Sequence, residues 1–136
     1  MALVYDASVL LAVIGNEKGR DLALAHLAQE EGFISSANWA EVISKLAERG
    51  MPAQTIKDGL DSFGLTVVPL DTEQAFAAGG LRPITKALGL SLGDRCCIAL
   101  ALLRGLPVIT AEKIWTKLPS LDGAPRLKEL SVMQIR

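Results

Sequence analysis

Residues 90–110, LSLGDRCCIALALLRGLPVIT, contain a helix and a strand in direct succession, and this pairing predicts the fold. Ser91 and Asp94 have the spacing of a capping box in front of an apolar run, which predicts a helix over residues 94–104. Gly105 is typical of a residue that ends a helix. The run LPVIT at residues 106–110 is rich in strand-forming residues and predicts a strand.

The same alternation extends over the rest of the chain. Strands are predicted at residues 2–8, 32–36, 65–70, 106–110 and 130–135. Helices are predicted at residues 9–14, 21–29, 39–49, 53–63 and 94–104, with a further helix through AFAAGG at residues 75–80 that Pro83 separates from one ending near residue 88. Repeated alternation of helix and strand predicts an α/β fold: a mainly parallel five-stranded sheet with helices on both faces. We expect a single domain over residues 1–136.

Composition excludes several classes of protein. No apolar run approaches the roughly 18 residues of a membrane span, so no membrane contact is expected. The N-terminus, MALVYDASVLLAVIG, lacks the basic start of a signal peptide and is interrupted by Asp6, so a cytoplasmic location is expected. The net charge of −1 excludes the overall basic field that favours non-specific binding of nucleic acid. Cys96 and Cys97 fit neither a zinc site nor a disulfide framework and are predicted as small core residues.

Four acidic residues are expected to meet at the edge where the parallel strands end. Asp6 ends the first strand, and Glu41 lies one turn into the helix after the second. Asp94 opens the helix before the fourth strand, and Glu112 follows that strand. Clustered carboxylates repel one another and raise their own pKa values unless cations neutralise them. Mg²⁺ or Mn²⁺ prefer oxygen ligands and leave positions for a phosphate oxygen and an attacking water.

Each acid also has an ordinary structural explanation. Asp is among the preferred residues at helix N-termini, which would account for Asp6. Glu41 and Lys45 are spaced as a favourable i, i+4 ion pair. Asp94 is accounted for by its capping box with Ser91. Glu112 falls in the first turn after VIT, where Thr110 is a candidate cap. The spacing of the residues leaves both explanations open.

Four blocks of the chain resemble, in order and spacing, the characteristic blocks of the PIN domain, in particular those of VapC-type toxins from bacterial type II toxin–antitoxin pairs. The blocks are VYDASVLLA at 4–12, SSANWAEVISKL at 35–46, GLSLGDRCCIALA at 89–101 and GLPVITAEKIW at 105–115. The resemblance implies a three-layer α/β/α fold and a metal-dependent endoribonuclease that cuts structured RNA, commonly tRNA or ribosomal RNA. It also implies a homodimer and inhibition by a VapB-like antitoxin whose tail lies across the active site.

Residue by residue, the resemblance also implies a site. Asp6, Glu41 and Asp94 match the three core metal-binding acids of the family. Ser8 and Thr110 match hydroxyl groups that support these acids from close range. The resemblance therefore implies a carboxylate site for Mg²⁺ or Mn²⁺.

The fourth acid departs from the family pattern. Such toxins usually have Thr-Ala-Asp where this chain has Thr110, Ala111 and Glu112. Glutamate keeps the charge but extends the side chain by one carbon–carbon bond, roughly 1.5 Å. Because Mg²⁺ tolerates little distortion, this shift can replace direct ligation by contact through a water, or the reverse. Glu112 is expected to be a catalytic and metal-binding acid, with its mode of contact open. Asn38 is expected either to support the acids or to be a polar residue at a helix start.

Basic and aromatic residues near the acids are the remaining candidates. Contacts to RNA phosphates are predicted for Lys45, Arg49, Arg95, Lys113 and Lys117, with solvated helix faces as the alternative and, for Arg95, pairing with a nearby acid. The apolar neighbours of Trp39 and Trp115 favour core packing over base stacking. His26 lacks partners at the spacing of a metal site or a general base, so we expect it to be structural and a metal-bound water to be the nucleophile.

Three other functions are alternatives, and the sequence lacks residues that two of them need. A PIN-like protein that no longer cleaves and acts as an antitoxin-binding or regulatory module is favoured by the glutamate at position 112. A receiver-like phosphotransfer domain would need neighbouring acids after the first strand, where Asp6 stands alone. A haloacid-dehalogenase-like phosphatase would need a second aspartate where Ser8 stands.

Overall fold

The five predicted strands form one parallel sheet in the computed structural model, which describes residues 1–136. The strands are β1 (Ala2–Tyr5), β2 (Glu31–Ser35), β3 (Thr66–Val68), β4 (Val108–Thr110) and β5 (Val132–Gln134). They lie in the order β3-β2-β1-β4-β5, and every neighbouring pair is parallel. Val4 pairs with Phe33 on one side and with Val108 on the other. The order reverses between β1 and β4, which opens a crevice at the carboxyl ends of these two strands.

Seven helices connect and cover the strands. They are α1 (Ala7–Ile14), α2 (Arg20–Gln29), α3 (Ser36–Glu48), α4 (Ala53–Asp61), α5 (Thr72–Gly80), α6 (Arg82–Thr85) and α7 (Leu92–Arg104). Short 3₁₀ segments occupy Lys86–Leu88, Lys113–Ser120 and Pro125–Glu129. None of the helices combines the length and apolar character needed to cross a membrane.

Alternate residues of β1 enter two separate cores. Leu3 and Tyr5 pack in a cluster with buried residues of α1 to α4, whereas Val4 packs in a second cluster with residues of α7. Successive side chains of a strand point to opposite faces of the sheet, so both faces are covered by helices. The predicted three-layer α/β/α architecture is confirmed.

Helix α7 forms as residues 90–110 predict. Ser91 Oγ accepts from the Asp94 N–H at 3.1 Å, and Asp94 Oδ2 accepts from the Ser91 N–H at 2.9 Å, which completes the capping box. The helix ends at Gly105, whose φ of 65° lies in the left-handed region that glycine adopts without strain. Cys96 and Cys97 are buried and unbridged, as predicted. Burial of the next two turns fixes this helix rigidly to the sheet.

The connection between β4 and β5 differs from the expectation. The connection between β4 and β5 contains the 3₁₀ segments Lys113–Ser120 and Pro125–Glu129, where no helix is predicted. Pro119 lies inside the first segment, where proline cannot donate the backbone hydrogen bond that an α-helix needs. Pro125 begins the second segment. The strand order also excludes a receiver-like domain, in which the third strand would lie beside the first rather than beside the second.

Candidate active site

Asp6 lies at the carboxyl end of β1, in the crevice next to β4. Its Oδ2 accepts hydrogen bonds from Ser8 Oγ at 2.6 Å and from Thr110 Oγ1 at 3.0 Å. Asp6 precedes α1, yet its side chain makes no capping bond to that helix. Only 2% of the residue is exposed. Helix capping therefore does not account for this acid, and both hydroxyls that the resemblance implies as its supports donate to its carboxylate.

Glu41 is oriented by a buried asparagine on the same helix. Asn38 Nδ2 donates to Glu41 Oε1 and to the Gly93 carbonyl, both at 2.9 Å, and so connects α3 to the start of α7. Asn38 is fully buried, which favours the supporting role over a solvated helix start. Glu41 and Lys45 form no ion pair within 4 Å, so the expected i, i+4 salt bridge is absent. The orientation of Glu41 thus depends on tertiary contacts.

Asp94 serves as a helix cap and also faces the crevice. Only its Oδ2 is used in the capping box. Gly93, directly before it, packs against Glu41 so closely that an added Cβ would collide with the Glu41 carboxylate. The glycine in the LSLGDR block therefore lets α3 and α7 bring Glu41 and Asp94 side by side.

These side chains line one open pocket of about 600 Å³, which we call the acidic pocket after Asp6, Glu41, Asp94 and Glu112. The structure thus brings together all four acids that the sequence singles out. Glu112 differs from the other three because it is exposed, at the start of the 3₁₀ segment Lys113–Ser120. Its backbone N–H donates to Thr110 Oγ1 at 3.0 Å, which ties the Glu112 backbone to the hydroxyl that supports Asp6.

The electrostatics of the acidic pocket disfavour negative charge. Burial raises the pKa of Asp6 to about 7; repulsion from Asp94 and Glu41 adds to this effect, while the bonds from Ser8 and Thr110 oppose it. Burial also raises the pKa of Glu41, against the hydrogen bond from Asn38. Asp6, Glu41 and Asp94 form no ion pair within the chain. These three acids therefore lack a positive countercharge at contact distance.

The donor atoms fit a hard divalent cation. In Asp6, Glu41 and Asp94, one carboxylate oxygen is held by protein donors and the other has no protein hydrogen bond. Oxygen donors of this kind are the ligands that Mg²⁺ and Mn²⁺ prefer. As the side chains stand, no three acids converge closely enough to surround one ion. The carboxylate oxygens and their negative charge thus suit a divalent cation, although they do not form a completed coordination sphere.

The family model of the PIN domain matches residues 3–121. The chain belongs to the PIN domain family. Among curated protein sequences none matches it.

Solved structures share the fold at low sequence identity. VapBC2 from Rickettsia felis, bound to a DNA fragment from its promoter, aligns with a TM-score of 0.71 and 16% identity over 98% of both chains. DNA-bound VapBC from Salmonella typhimurium aligns with a TM-score of 0.69 and 18% identity, over 100% of this chain and 99% of that one. A toxin–antitoxin complex from Klebsiella pneumoniae aligns with a TM-score of 0.67 and 20% identity over 98% of both chains. This PIN domain therefore has the fold found in these complexes.

Of the five basic residues predicted to contact RNA phosphates, only two line the acidic pocket. Lys45 and Arg49 line the acidic pocket of the PIN domain. Lys113 lies in an adjoining cavity, and Lys117 is exposed outside the pocket. Arg95 points elsewhere, because it is 9% exposed and its Nη1 donates to the Ala78 carbonyl at 3.1 Å. Arg95 therefore neither faces the pocket nor pairs with an acid, and packs α7 against α5.

Two charged residues at the pocket of the PIN domain were not predicted. Glu17, between α1 and α2, and Arg136, after β5, line the acidic pocket and form an ion pair at 3.1 Å. They are 119 positions apart in the sequence. No local pattern connects residues at such a separation, so only the parallel pairing of β5 with β4 brings them together.

The aromatic residues and the histidine have the structural roles expected of them. Trp115 is fully buried in the core, and Trp39 is half-buried against the other core cluster. His26 Nδ1 lies 2.7 Å from Glu30 Oε1, one helical turn away and outside the acidic pocket. The sequence prediction overlooked this i, i+4 partner. No histidine is thus available for proton transfer in the pocket of this PIN domain.

Proposed function

We propose that this PIN-domain chain is a metal-dependent endoribonuclease toxin of a VapBC-like toxin–antitoxin pair. The proposal rests on one observation: Asp6, Glu41 and Asp94 line one pocket, each has a carboxylate oxygen without a protein hydrogen bond, and none of them is in an ion pair. Asp6 remains buried there although its ionisation is unfavourable. A buried carboxylate that neighbouring carboxylates repel is typical of a functional site.

In the proposed mechanism, Asp6, Glu41 and Asp94 hold Mg²⁺ or Mn²⁺, with Glu112 as the fourth acid across the pocket. When bound, such an ion activates a water and stabilises negative charge on a phosphodiester. Ser8 and Thr110 hold Asp6 in its orientation, and Asn38 does the same for Glu41. These buried donors keep the carboxylates in place, as metal ligands require.

The basic residues complete the proposed site. Lys45 and Arg49, on α3, are placed to contact phosphates of the substrate at the rim of the acidic pocket. Lys113 and Lys117 would contact backbone phosphates farther along the RNA strand. Arg95 is left out of this proposal because of its burial against α5.

The partners are proposed from the family and its structural relatives. The relatives from Rickettsia felis and Salmonella typhimurium are VapBC proteins, and the one from Klebsiella pneumoniae is a toxin–antitoxin complex. We therefore propose a VapB-like antitoxin as partner, a homodimer as the assembly, and tRNA or ribosomal RNA in the cytoplasm as substrate.

The proposal is tested with the purified chain, freed of antitoxin, on total cellular RNA with Mg²⁺ or Mn²⁺. We expect new 5′ ends at defined positions with the native chain and none with Asp94→Asn, whose amide oxygen can still cap α7. Asp122→Asn, an exposed change outside the acidic pocket, is the control and should cleave normally. RNA left intact by the native chain, or equal growth inhibition by native and Asp94→Asn proteins, would contradict catalysis and favour the binding module.

A further inference from the structure

A second cavity, of about 440 Å³, adjoins the acidic pocket. Glu112, Ile114 and Arg136 line both cavities, so the two lie side by side. Lys18 and Lys113 also line the second one. Three of its six lining residues are cationic, in a chain whose net charge is −1. We call it the basic cavity, after Lys18, Lys113 and Arg136.

The guanidinium of Arg136 is fixed along one side only. Its Nη1 donates to Glu17 Oε1 at 3.1 Å and to the Lys18 carbonyl at 3.3 Å. Both bonds use the same nitrogen, so Nε and Nη2 have no protein acceptor. The side chain is only 27% exposed. A held guanidinium with free N–H groups is well suited to phosphate oxygens, because its planar fork can donate two parallel bonds.

The backbone that carries Arg136 is itself held close to the turn between α1 and α2. The Ile135 N–H donates to the Thr110 carbonyl at 3.1 Å, which extends the pairing of β5 with β4. Gly19 has a φ of +96°, and an added Cβ there would collide with the Ile135 carbonyl. Arg136 therefore belongs to a fixed wall of the cavity.

Anions in the basic cavity would be bound by side chains. The N–H groups of Ala111 and Glu112 are not available to an anion, because they already donate to Ser8 Oγ and Thr110 Oγ1. Lys18 and Lys113 form no ion pair. The carboxylates of Glu17 and Glu112 offset two of the three positive charges. The small net positive charge of the cavity thus suits one segment of a polyanion better than a free ion, because other parts of the polyanion are held by contacts elsewhere.

We propose that the basic cavity binds a backbone phosphate of the RNA adjacent to the phosphodiester that is cleaved in the acidic pocket. This inference rests on the proposed function. Lys45 and Arg49 lie on α3, which follows β2, whereas Arg136 follows β5. In the observed strand order, cations therefore flank the β1–β4 crevice from both sides. An RNA strand that crosses the acidic pocket would meet a cation on each side of the cleaved bond.

The test measures binding of bulk tRNA without metal, in the Asp94→Asn chain, by fluorescence anisotropy between 50 and 200 mM salt. The test variant adds Lys18→Ala, Lys113→Ala and Arg136→Gln. The control instead adds three exposed changes outside both cavities, of equal charge: Lys57→Ala, Lys128→Ala and Arg82→Gln. A second test variant carries only Lys18→Ala and Lys113→Ala, which remove no side-chain hydrogen bond and so leave the fold intact.

Loss of this one phosphate contact would lower the slope of log K against log salt by about 0.7. Over this fourfold change in salt, the affinity of the control should then fall about 2.6-fold more than that of the triple variant. The double variant, which keeps Arg136, should show a change in slope of the same sign and no larger. Equal slopes in test and control variants overturn the inference, whereas RNA cleavage by the native chain tests the proposed function separately. If the Asp94→Asn parent binds no tRNA, the inference falls together with RNA as the substrate.

Discussion

Replacing Asp6 by asparagine should stabilise the metal-free protein at high pH. The pKa of Asp6 is raised from 3.8 to about 7, chiefly by burial. An acid whose pKa is higher in the folded state stabilises the fold below its unfolded pKa and loses this contribution as pH rises through the folded value. At 1.36 kcal/mol per pH unit, the ionised carboxylate of Asp6 therefore destabilises the folded state by on the order of 4 kcal/mol above pH 8.

The assay is urea unfolding of metal-free native protein and Asp6→Asn at pH 5 and pH 8.5. Asparagine keeps an oxygen that can accept from Ser8 and Thr110, and it removes the charge. Because protonation already relieves much of the penalty at pH 5, about 3 kcal/mol of the difference should appear between the two pH values. Asp122→Asn is the control, since its side chain is exposed and should leave the free energy of unfolding unchanged.

Addition of Mg²⁺ completes the experiment. An ion that binds only the folded native protein raises its stability by about 2.7 kcal/mol at a concentration 100 times Kd. Asp6→Asn lacks the ligand charge and should gain much less. An Asp6→Asn protein that is less stable than native at pH 8.5, or a difference that is the same at both pH values, would refute the electrostatic account of the pocket.

Three further predictions concern the side chains around Asp6. Gly93→Ala should displace the Glu41 carboxylate and lower RNA cleavage by about 10- to 100-fold. Its far-UV circular dichroism should stay native. The control is Gly59→Ala on α4, which has open space around it and should cleave normally. Ser91→Ala should lower the free energy of unfolding by about 1 kcal/mol through loss of the helix cap, and an unchanged urea midpoint would count against the capping box. Glu112→Gln should lower the cleavage rate by about tenfold or more, and Glu112→Asp should retain activity; equal rates for the two variants would show that the charge is not needed.

The sequence predicts the order of the elements because their signals are local. Apolar periodicity, the Ser91–Asp94 capping box and the terminating Gly105 all act within a few residues, and each reappears in the structure. The two 3₁₀ segments after β4 lack such a signal because prolines break the pattern. The positions of the four acids at strand ends and helix starts likewise follow from local patterns, which is why the acidic pocket could be predicted.

The sequence by itself determined which carboxylates meet, whereas only the tertiary structure decided how they are held. The bond from Thr110 to Asp6 spans 104 positions, and that from Asn38 to Gly93 spans 55. The ion pair of Arg136 with Glu17 closes the pocket across 119 positions. Contacts at such separations depend on strand order and helix packing, which no local pattern encodes. For this reason the burial that raises the pKa of Asp6, and the basic cavity beside it, emerge only in the folded chain.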